Sequence, residues 1–379
     1  MTVRILHTAD WQLGKPFRHI EGDAGPILRD ERFKVVERLG ALARDEGADA
    51  ILVAGDIFDG ESLPDRHLHR AIQAMRSFPG PWLLLPGNHD PAKPGGIWER
   101  LRRLGLPDNV QPLCEPGAVT LLDGRLCVMA APLVTRHAQD DLSAWMDGQA
   151  TPGGTARVGL VHGTATGILP GRAADSATNP IARDRARSAG LDYLALGDWH
   201  GCLKLDQRTW YSGTPEPDGY IANDSGNALL VEIPSPGAPP AVARHRTAAH
   251  HWRSIEHELL PAEDDTGPLR RLEDVLEGLV DPNGTVLRLK LSGRMPAGSH
   301  GDLMALEERW RGHLRHLDFD DGGVEVEADL DDLGLLAADP LVAEVADRLA
   351  GLAEIGGEES RRARMALRFL HHTLKEAAR

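Results

Sequence analysis

Eight residues carry the chemistry this sequence offers: Asp10, Gln12, Asp56, Asn88, His89, His162, Asp198 and His200. Carboxylates, amide oxygens and imidazoles with no thiolate among them suit Mn, Fe or Zn in a catalytic role, and argue against a soft structural zinc site. Setting His89 aside, seven candidate ligands exceed what one catalytic ion with an open position needs. They suit two ions roughly 3.5–4 Å apart that share a carboxylate, an arrangement that acidifies a bridging water and clamps a phosphoryl group. His89 follows Asn88 directly and is read as facing the substrate, where an imidazole can protonate a departing alkoxide.

These residues lie far apart in the chain, so like elements must deliver them to one place. VRIL (3–6) leads into Asp10-Trp11-Gln12, AILV (50–53) into Gly55-Asp56, and WLLLPG (82–87) into Asn88-His89-Asp90. VGLV (158–161) leads into His162-Gly163 and YLALG (193–197) into Asp198-Trp199-His200. Apolar runs of this length read as buried strands, and in open α/β sheets ligands bind outside the strands' carboxyl ends. A single Asp or His after a strand is ordinarily a turn former, but five loaded strand ends exceed what turn chemistry explains. His7, Asp59 and Asp90 are read as supporting or turn residues. His67 and His69, two apart, do not share a helix face and read as solvated.

Between these strands, helical spacing marks 27–44 (Phe33, Val36, Leu39, Leu42), a helix after Pro64 (Leu68, Ile72, Met75) and a short basic helix at 97–104. VTLLD (119–123) and LCVMAAP (126–132) read as a strand pair around Asp123-Gly124. Residues 164–187 lack periodicity and read as a loop rimming the site, and TWYSG and NALLVEI as closing strands. PSPGAPPA (234–241) reads as a domain boundary. Beyond it, strands at 253–260, 285–291 and 324–330 alternate with helices at 269–279 and 303–317, a small α+β unit. The nine acids between Asp318 and Asp339 read as a solvated face, and the tail as two helices split at Gly356-Gly357.

A chain of 379 residues implies two or three domains, and 41% hydrophobic with 26% charged residues suits a soluble globular protein. The net charge of −15 gives no overall basic footprint for nucleic acid. Three cysteines without CxxC spacing point to a reducing compartment. The start lacks a signal-peptide pattern and no apolar run approaches the roughly 20 residues of a membrane span, so the expected location is cytoplasmic, with no membrane partner.

ILHTADWQLG, ILVAGDIFD, LPGNHD, VHG and LGDWHG, in this order, resemble the motifs of calcineurin-like metallophosphoesterases, and more narrowly those of SbcD/YhaO-type DNA repair nuclease subunits. YSGTPEP resembles the closing segment of that group, and the resemblance covers about residues 1–233. It implies an α/β fold: a metallophosphoesterase β-sandwich flanked by helices (1–245), a small α+β capping domain (246–332) and a helical tail (333–379). It further implies that Asp10, Asp56 and His200 hold one metal, that Asp56 bridges to a second held with Asn88 and His162, and that His89 is the catalytic histidine. Two positions depart from the pattern: Gln12 and Asp198 stand where the family usually has histidine. The harder oxygen set favours Mn over Zn.

The activity implied is that of a Mn-dependent phosphodiesterase cutting DNA as an exo- or endonuclease, with an SbcC-like coiled-coil ATPase bound at the C-terminal helices. There Ala363, Leu367, Leu370 and Leu374 share helical spacing, with Met365 and Phe369 alongside. The clusters Arg100-Arg102-Arg103 and Arg183-Arg185-Arg187 would help to hold phosphates, and a homodimer is compatible with the reading. Two alternatives stand beside it. One is a nucleotide or small-molecule phosphoesterase, which the acidic charge suits equally; the other is a DNA-binding protein whose altered metal site is catalytically weakened.

Overall fold

The computed structural model describes residues 2–167, 178–260, 267–296, 299–327, 340–355 and 357–377. It divides into two compact units, Met1–His250 and His251–Arg379.

The first unit runs β1 (Val3–Thr8), α1 (Ala24–Asp45), β2 (Ala50–Val53), α2 (Asp65–Met75), β3 (Trp82–Leu84), α3 (Ile97–Arg103), β4 (Val110–Pro112), β5 (Gly117–Leu121) and β6 (Leu126–Ala131). It continues with β7 (Ala156–His162), β8 (Thr164–Ala165), β9 (Pro180–Ile181), α4 (Arg185–Ser188), β10 (Tyr193–Gly197), β11 (Leu203–Lys204), β12 (Thr209–Tyr211), β13 (Asn227–Ile233) and β14 (Ala241–Arg246). Two six-stranded sheets result, ordered β14-β13-β1-β2-β3-β4 and β11-β12-β10-β7-β6-β5. Strands β1 to β4 are mutually parallel, as are β6, β7, β10 and β12, so in each sheet the loaded carboxyl ends share one edge.

The apolar runs are continuous because both faces of each sheet are covered. Alternation along each strand then divides the side chains. Ile5, Leu52 and Leu83 meet Val128, Leu160 and Ala195 in a core between the sheets. Leu6, Ile51, Val53 and Leu84 face the other way, against Phe33, Val36 and Leu39 of α1, Leu68 and Ile72 of α2 and Leu101 of α3. Met129, Val161, Leu194 and Leu196 cover the outer face of the second sheet together with Ala186 of α4. Each fully buried leucine contributes about 2 kcal/mol to this packing. The architecture is therefore a β-sandwich between helices.

Three readings of the chain need correction. The proline-rich stretch is not a boundary: it turns the antiparallel hairpin β13–β14, paired from Asn227↔Arg246 to Glu232↔Ala241. β14 is a largely exposed edge strand, so it lacks the apolar run that marks a core strand, and prolines are tolerated in its turn. The 164–187 stretch is not all loop, since β8 and β9 pair in parallel and α4 follows; residues 168–177 lie outside the described part. The helix expected over 303–317 ends at His313, and the acid-rich 318–323 belongs to a strand.

The second unit contains β15 (His251–Leu259), α5 (Gly267–Glu277), β16 (Thr285–Pro296), α6 (His300–His313), β17 (His316–Glu327), α7 (Pro340–Glu354) and α8 (Gly357–Ala377). Its sheet, β15-β16-β17, is all parallel, which requires the crossover helices α5 and α6. Leu259, Leu289 and Leu291 pack there with Leu272, Leu276, Leu303 and Trp310. Most of the acidic run expected as a solvated face, residues 328–339, lies outside the described part. Ala363 of α8 is buried, Leu367 and Leu370 are half-buried, and Met365 and Phe369 are exposed. The side chain of Leu374 is outside the described part. Among the described residues no helix is long and apolar enough to cross a membrane.

Candidate metal centre

The loops leaving β1 and β2 run side by side, laced by backbone bonds from Asp10 N to Gly55 O (3.0 Å), Gln12 N to Asp56 O (3.0 Å) and Leu13 N to Ile57 O (2.9 Å). Four of the candidate residues turn through the left-handed region: Asp10 (φ 53°), Gln12 (φ 48°), Asp56 (φ 52°) and Asp198 (φ 101°). For side chains other than glycine each such turn costs on the order of 1–3 kcal/mol, and strain of this kind collects at functional sites. Here it aims donors inward that a relaxed strand end would direct elsewhere.

Asp10, Asp56 and His162 are all buried, and each offers a ligand atom within 4.8 Å of the others. His162 Nδ1 donates to Ala54 O (2.8 Å), which leaves Nε2 facing Asn88 Oδ1 at 2.8 Å and Asp56 Oδ1 at 3.6 Å. Burial disfavours its imidazolium, but Asp56, Asp10 and Asp198 outweigh burial and raise the pKa to about 9. The cluster's negative field thus calls for a cation at Nε2. Burial likewise raises Asp10 to about 6, against the lowering pull of His200 and His162.

His200 Nδ1 donates to Asp218, 3.0 Å from Oδ2, and its Nε2 lies 3.9 Å from Asp10 Oδ1. Asp218 is also paired with Lys15 Nζ at 2.5 Å. Burial opposes the charges on both partners, yet their mutual attraction wins: His200 rises to about 9 and Asp218 falls well below the usual carboxylate range. A carboxylate behind an imidazole fixes the ring and the tautomer of a metal ligand. His89 sits at the rim: its backbone N donates to Asp56 Oδ1 (2.8 Å), and its Nδ1 donates to Asp59 O (3.1 Å). Its Nε2 lies 3.9 Å from Asp56 Oδ2.

Gln12 Nε2 donates to Asp56 Oδ2 at 2.9 Å, while its Oε1 is buried with no hydrogen-bond partner among the described residues. A buried orphan oxygen beside two carboxylates fits a cation ligand. Asp198 accepts from Thr164 Oγ1 (2.8 Å), and its backbone N reaches Asp10 Oδ1 at 3.2 Å. The donor set therefore fits divalent ions.

The supporting residues read from sequence behave as such. Asp90 accepts from Phe58 N (3.0 Å) and Gly87 N (2.7 Å), and burial raises its pKa well above the ordinary range. His7 contacts Tyr193 OH at 2.9 Å, and burial depresses it to about 3, so it is neutral. The arginine clusters differ from expectation. Arg100 donates to Leu63 O (2.6 Å) and Asp65 (2.5 Å), Arg102 donates to Pro112 O (3.3 Å), and Arg187 pairs with Asp184. Arg185 is buried between Asp141 (2.7 Å) and Asp147 (2.6 Å). Arg100, Arg102 and Arg185 tie separate segments together, while Arg187 makes an exposed local pair; a run of arginines in sequence does not reveal which partners the fold will set opposite them.

Sequence reasoning missed two positioning residues, Asp218 and Arg32. The guanidinium of Arg32 is fully buried and donates to Trp11 O (2.7 Å), Glu216 O (3.0 Å), Thr214 Oγ1 (2.9 Å) and Asp10 O (3.3 Å). It ties the Asp10–Gln12 loop to the segment that carries Asp218. A signal existed, because Arg32 stands in the apolar stripe Leu28, Val35, Val36, Leu39 of α1.

Glycine at 87 is a steric requirement. A Cβ there would lie 2.2 Å from Asp56 Oδ1 and 2.3 Å from its backbone N. Gly87→Ala is therefore expected to displace Asp56 and weaken divalent-cation binding at least tenfold, about 1.4 kcal/mol. A calorimetric titration checks this, and unchanged affinity would contradict it.

A cation held by His162 and His200 would have to displace their protons. Affinity for a divalent cation is thus expected to rise with pH through about 9 and to level off only above it, once both imidazoles have lost their protons. Without a cation the same shifts have the opposite consequence for folding. Their stabilisation is full below the ordinary imidazole value of 6.5 and is lost as pH rises through about 9. Titrations in buffers of different ionisation enthalpy measure the protons released, and an affinity flat across this window would contradict the assignment.

The family profile of calcineurin-like phosphoesterases matches residues 3–202, which include all eight candidate residues. Among relatives, the SbcD component of the nuclease SbcCD from Bacillus subtilis (strain 168) is 35% identical over 92 residues, 23% of this chain and 22% of that protein. The DNA double-strand break repair protein Mre11 of Aeropyrum pernix is 34% identical over 255 residues, 62% of this chain and 56% of that protein. The metallophosphoesterase YhaO of Bacillus subtilis is 24% identical over 309 residues, 77% of this chain and 72% of that protein. The match spans only 22% of the length of the SbcCD relatives from Bacillus subtilis and Rhodobacter capsulatus. The profile covers more than half of the 379 residues and carries the strand ends whose geometry is described above, so this chain belongs to the calcineurin-like phosphoesterase family.

Proposed function

We propose that this chain is a dinuclear, Mn-dependent phosphodiesterase that cleaves DNA in the cytoplasm together with an SbcC-like coiled-coil ATPase. The observation that carries the reading is the convergence of buried Asp10, Asp56 and His162 within 4.8 Å. His200 and Asn88 flank this cluster, and the orphan Gln12 Oε1 lies beside it. Asp10, Gln12 and His200 would hold one ion, Asn88, His162 and Asp198 the other, with Asp56 shared. When bound, two divalent cations supply Lewis-acid charge for a phosphoryl group and lower the pKa of the attacking water.

The chain's own residues do the rest. His89, as the imidazolium, would pass its Nε2 proton to the departing alkoxide and return to the neutral ring with Nδ1–H still on Asp59 O. Asp56 fixes the His89 backbone through Oδ1 and the Gln12 amide through Oδ2. Asp218 and Lys15 hold His200 in its tautomer. The names of the SbcCD and Mre11 relatives support DNA as substrate. For the partner, the support is the apolar groove between α7 and α8, where Val345, Leu349, Met365 and Phe369 line about 590 Å³. The acidic net charge leaves part of the DNA surface to that partner.

Gln12 and Asp198 decide between an active nuclease and a protein that binds DNA without cutting it. An amide oxygen is a weaker ligand than an imidazole, and an added carboxylate reduces the Lewis acidity of its ion. Cleavage of linear DNA is expected to need excess Mn²⁺ and to rise with pH above neutrality. Gln12→His should lower the Mn²⁺ requirement, and Asp198→His should move the profile toward acid. The test is turnover across a grid of Mn²⁺ and pH for the wild type and both variants. No cleavage by the wild type anywhere, with activity restored in the double histidine variant, would establish the binding-only reading.

A further inference from the structure

A cavity of about 250 Å³ lies beside His200, and its walls are of two kinds. Trp199 and Ile221 make part of its wall apolar, and Ile221 is 75% exposed. Asn223 and Ser225 add a polar edge. The carboxamide oxygen of Asn223 has no hydrogen-bond partner among the described residues. His200 and Asp218 also line the cavity, so it adjoins the metal centre. Asp198 completes the lining on that side, and among the described residues no lysine or arginine lines the cavity, so it offers no counter-charge for a second phosphate. What suits such walls is a flat, neutral heterocycle with a hydrogen-bonding edge, attached to a phosphate held at the His200 side.

We propose that this cavity seats the base of a nucleotide adjoining the scissile phosphodiester, drawn out of its stack, and that it makes the enzyme select nucleotides over simple phosphodiesters. The inference rests on the phosphodiesterase reading above and adds to it a base-binding subsite, with Trp199, Ile221 and Asn223 as specificity residues. Stacking of a base on an aromatic side chain is worth about 1–3 kcal/mol, or roughly 5–150-fold in kcat/KM. Gly219 offers a clean way to fill the subsite. A Cβ there meets nothing within 4 Å, and its backbone angle is one that other residues adopt.

The test compares kcat/KM of the Mn²⁺-loaded full chain for the dinucleotide TpT and for its fully abasic tetrahydrofuran analogue. The readout is the ratio of the two within each variant, in which damage to the shared chemistry cancels. The wild type should prefer TpT about tenfold or more, and Gly219→Leu and Ile221→Ser should bring the ratio toward one. A ratio near one in the wild type, or one unchanged in both variants, would overturn the subsite. Saturation-transfer NMR with thymidine alone, a ligand without phosphate, reads binding without turnover. Transfer to its base protons is expected in the wild type and should be lost in Gly219→Leu; no transfer in the wild type overturns the subsite. Failure of the wild type to cleave either compound, with transfer to thymidine intact, counts against the phosphodiesterase reading and for the subsite.

Discussion

Replacing Asp56 by Asn is expected to reduce metal-dependent turnover to background while leaving the sandwich folded. Both carboxylate oxygens are acceptors: Oδ1 takes the His89 backbone N–H and Oδ2 takes the Gln12 amide. An asparagine has one acceptor oxygen, so its NH₂ must confront one of these donors. The substitution also removes the charge that does most to raise the His162 pKa, which weakens the negative field where a cation would sit. A lone donor clash costs about 1–3 kcal/mol, within what a core of this size tolerates. The measurements are turnover on a phosphodiester, Mn²⁺ content after dialysis, and a thermal melt. Full activity with wild-type metal content would contradict the bridging role.

Arg32→Met is expected to destabilise the first unit by about 3–5 kcal/mol, the usual cost of breaking a buried charged network. The guanidinium serves four acceptors, three of them backbone carbonyls, at Trp11, Asp10 and Glu216. Methionine fills the volume of the stem but leaves those carbonyls without donors, each at about 1–3 kcal/mol. The loss spreads to the site, because the same residue binds the Asp10–Gln12 loop to the Thr214–Glu216 segment just before Asp218. Lysine cannot replace it, since one ammonium lacks the planar fork that reaches two loops at once. Arg32→Lys should therefore also lose Mn²⁺ affinity. Chemical denaturation and Mn²⁺ titration of both variants check this; a change below about 1 kcal/mol in Arg32→Met would show that the network is not needed.

The contrast between these residues explains what the sequence could and could not reveal. Asp10, Asp56, His162 and His200 each stand within a few positions of an apolar run, so strand periodicity alone places them at strand ends, two in each sheet. The left-handed backbone angles of Asp10, Gln12, Asp56 and Asp198, by contrast, carry no signature that local spacing shows. Asp218 follows a proline-rich segment, and only the tertiary fold brings it behind His200. Arg32 was legible as an anomaly, a charge inside an apolar helical stripe, but its four acceptors come from loops distant in sequence. Arg185 misled in the opposite way, because Arg183-Arg185-Arg187 suggests a phosphate-holding cluster, whereas Asp141 and Asp147 close over Arg185. The hairpin β13–β14 escaped notice because its outer strand is exposed and its turn is rich in proline. Apolar periodicity therefore reports the elements that are buried, and is silent about edges, turns and buried ion pairs.

The most direct measurement of the central claim is the Mn²⁺ stoichiometry of the purified full chain. It is followed by calorimetry at a pH near 9, where His162 and His200 have begun to lose their protons. Two ions per chain are predicted for the wild type, and loss of both in Asp56→Asn, because one carboxylate serves both sites. A single ion per chain, retained at full affinity when Asp56 is replaced, would contradict the account.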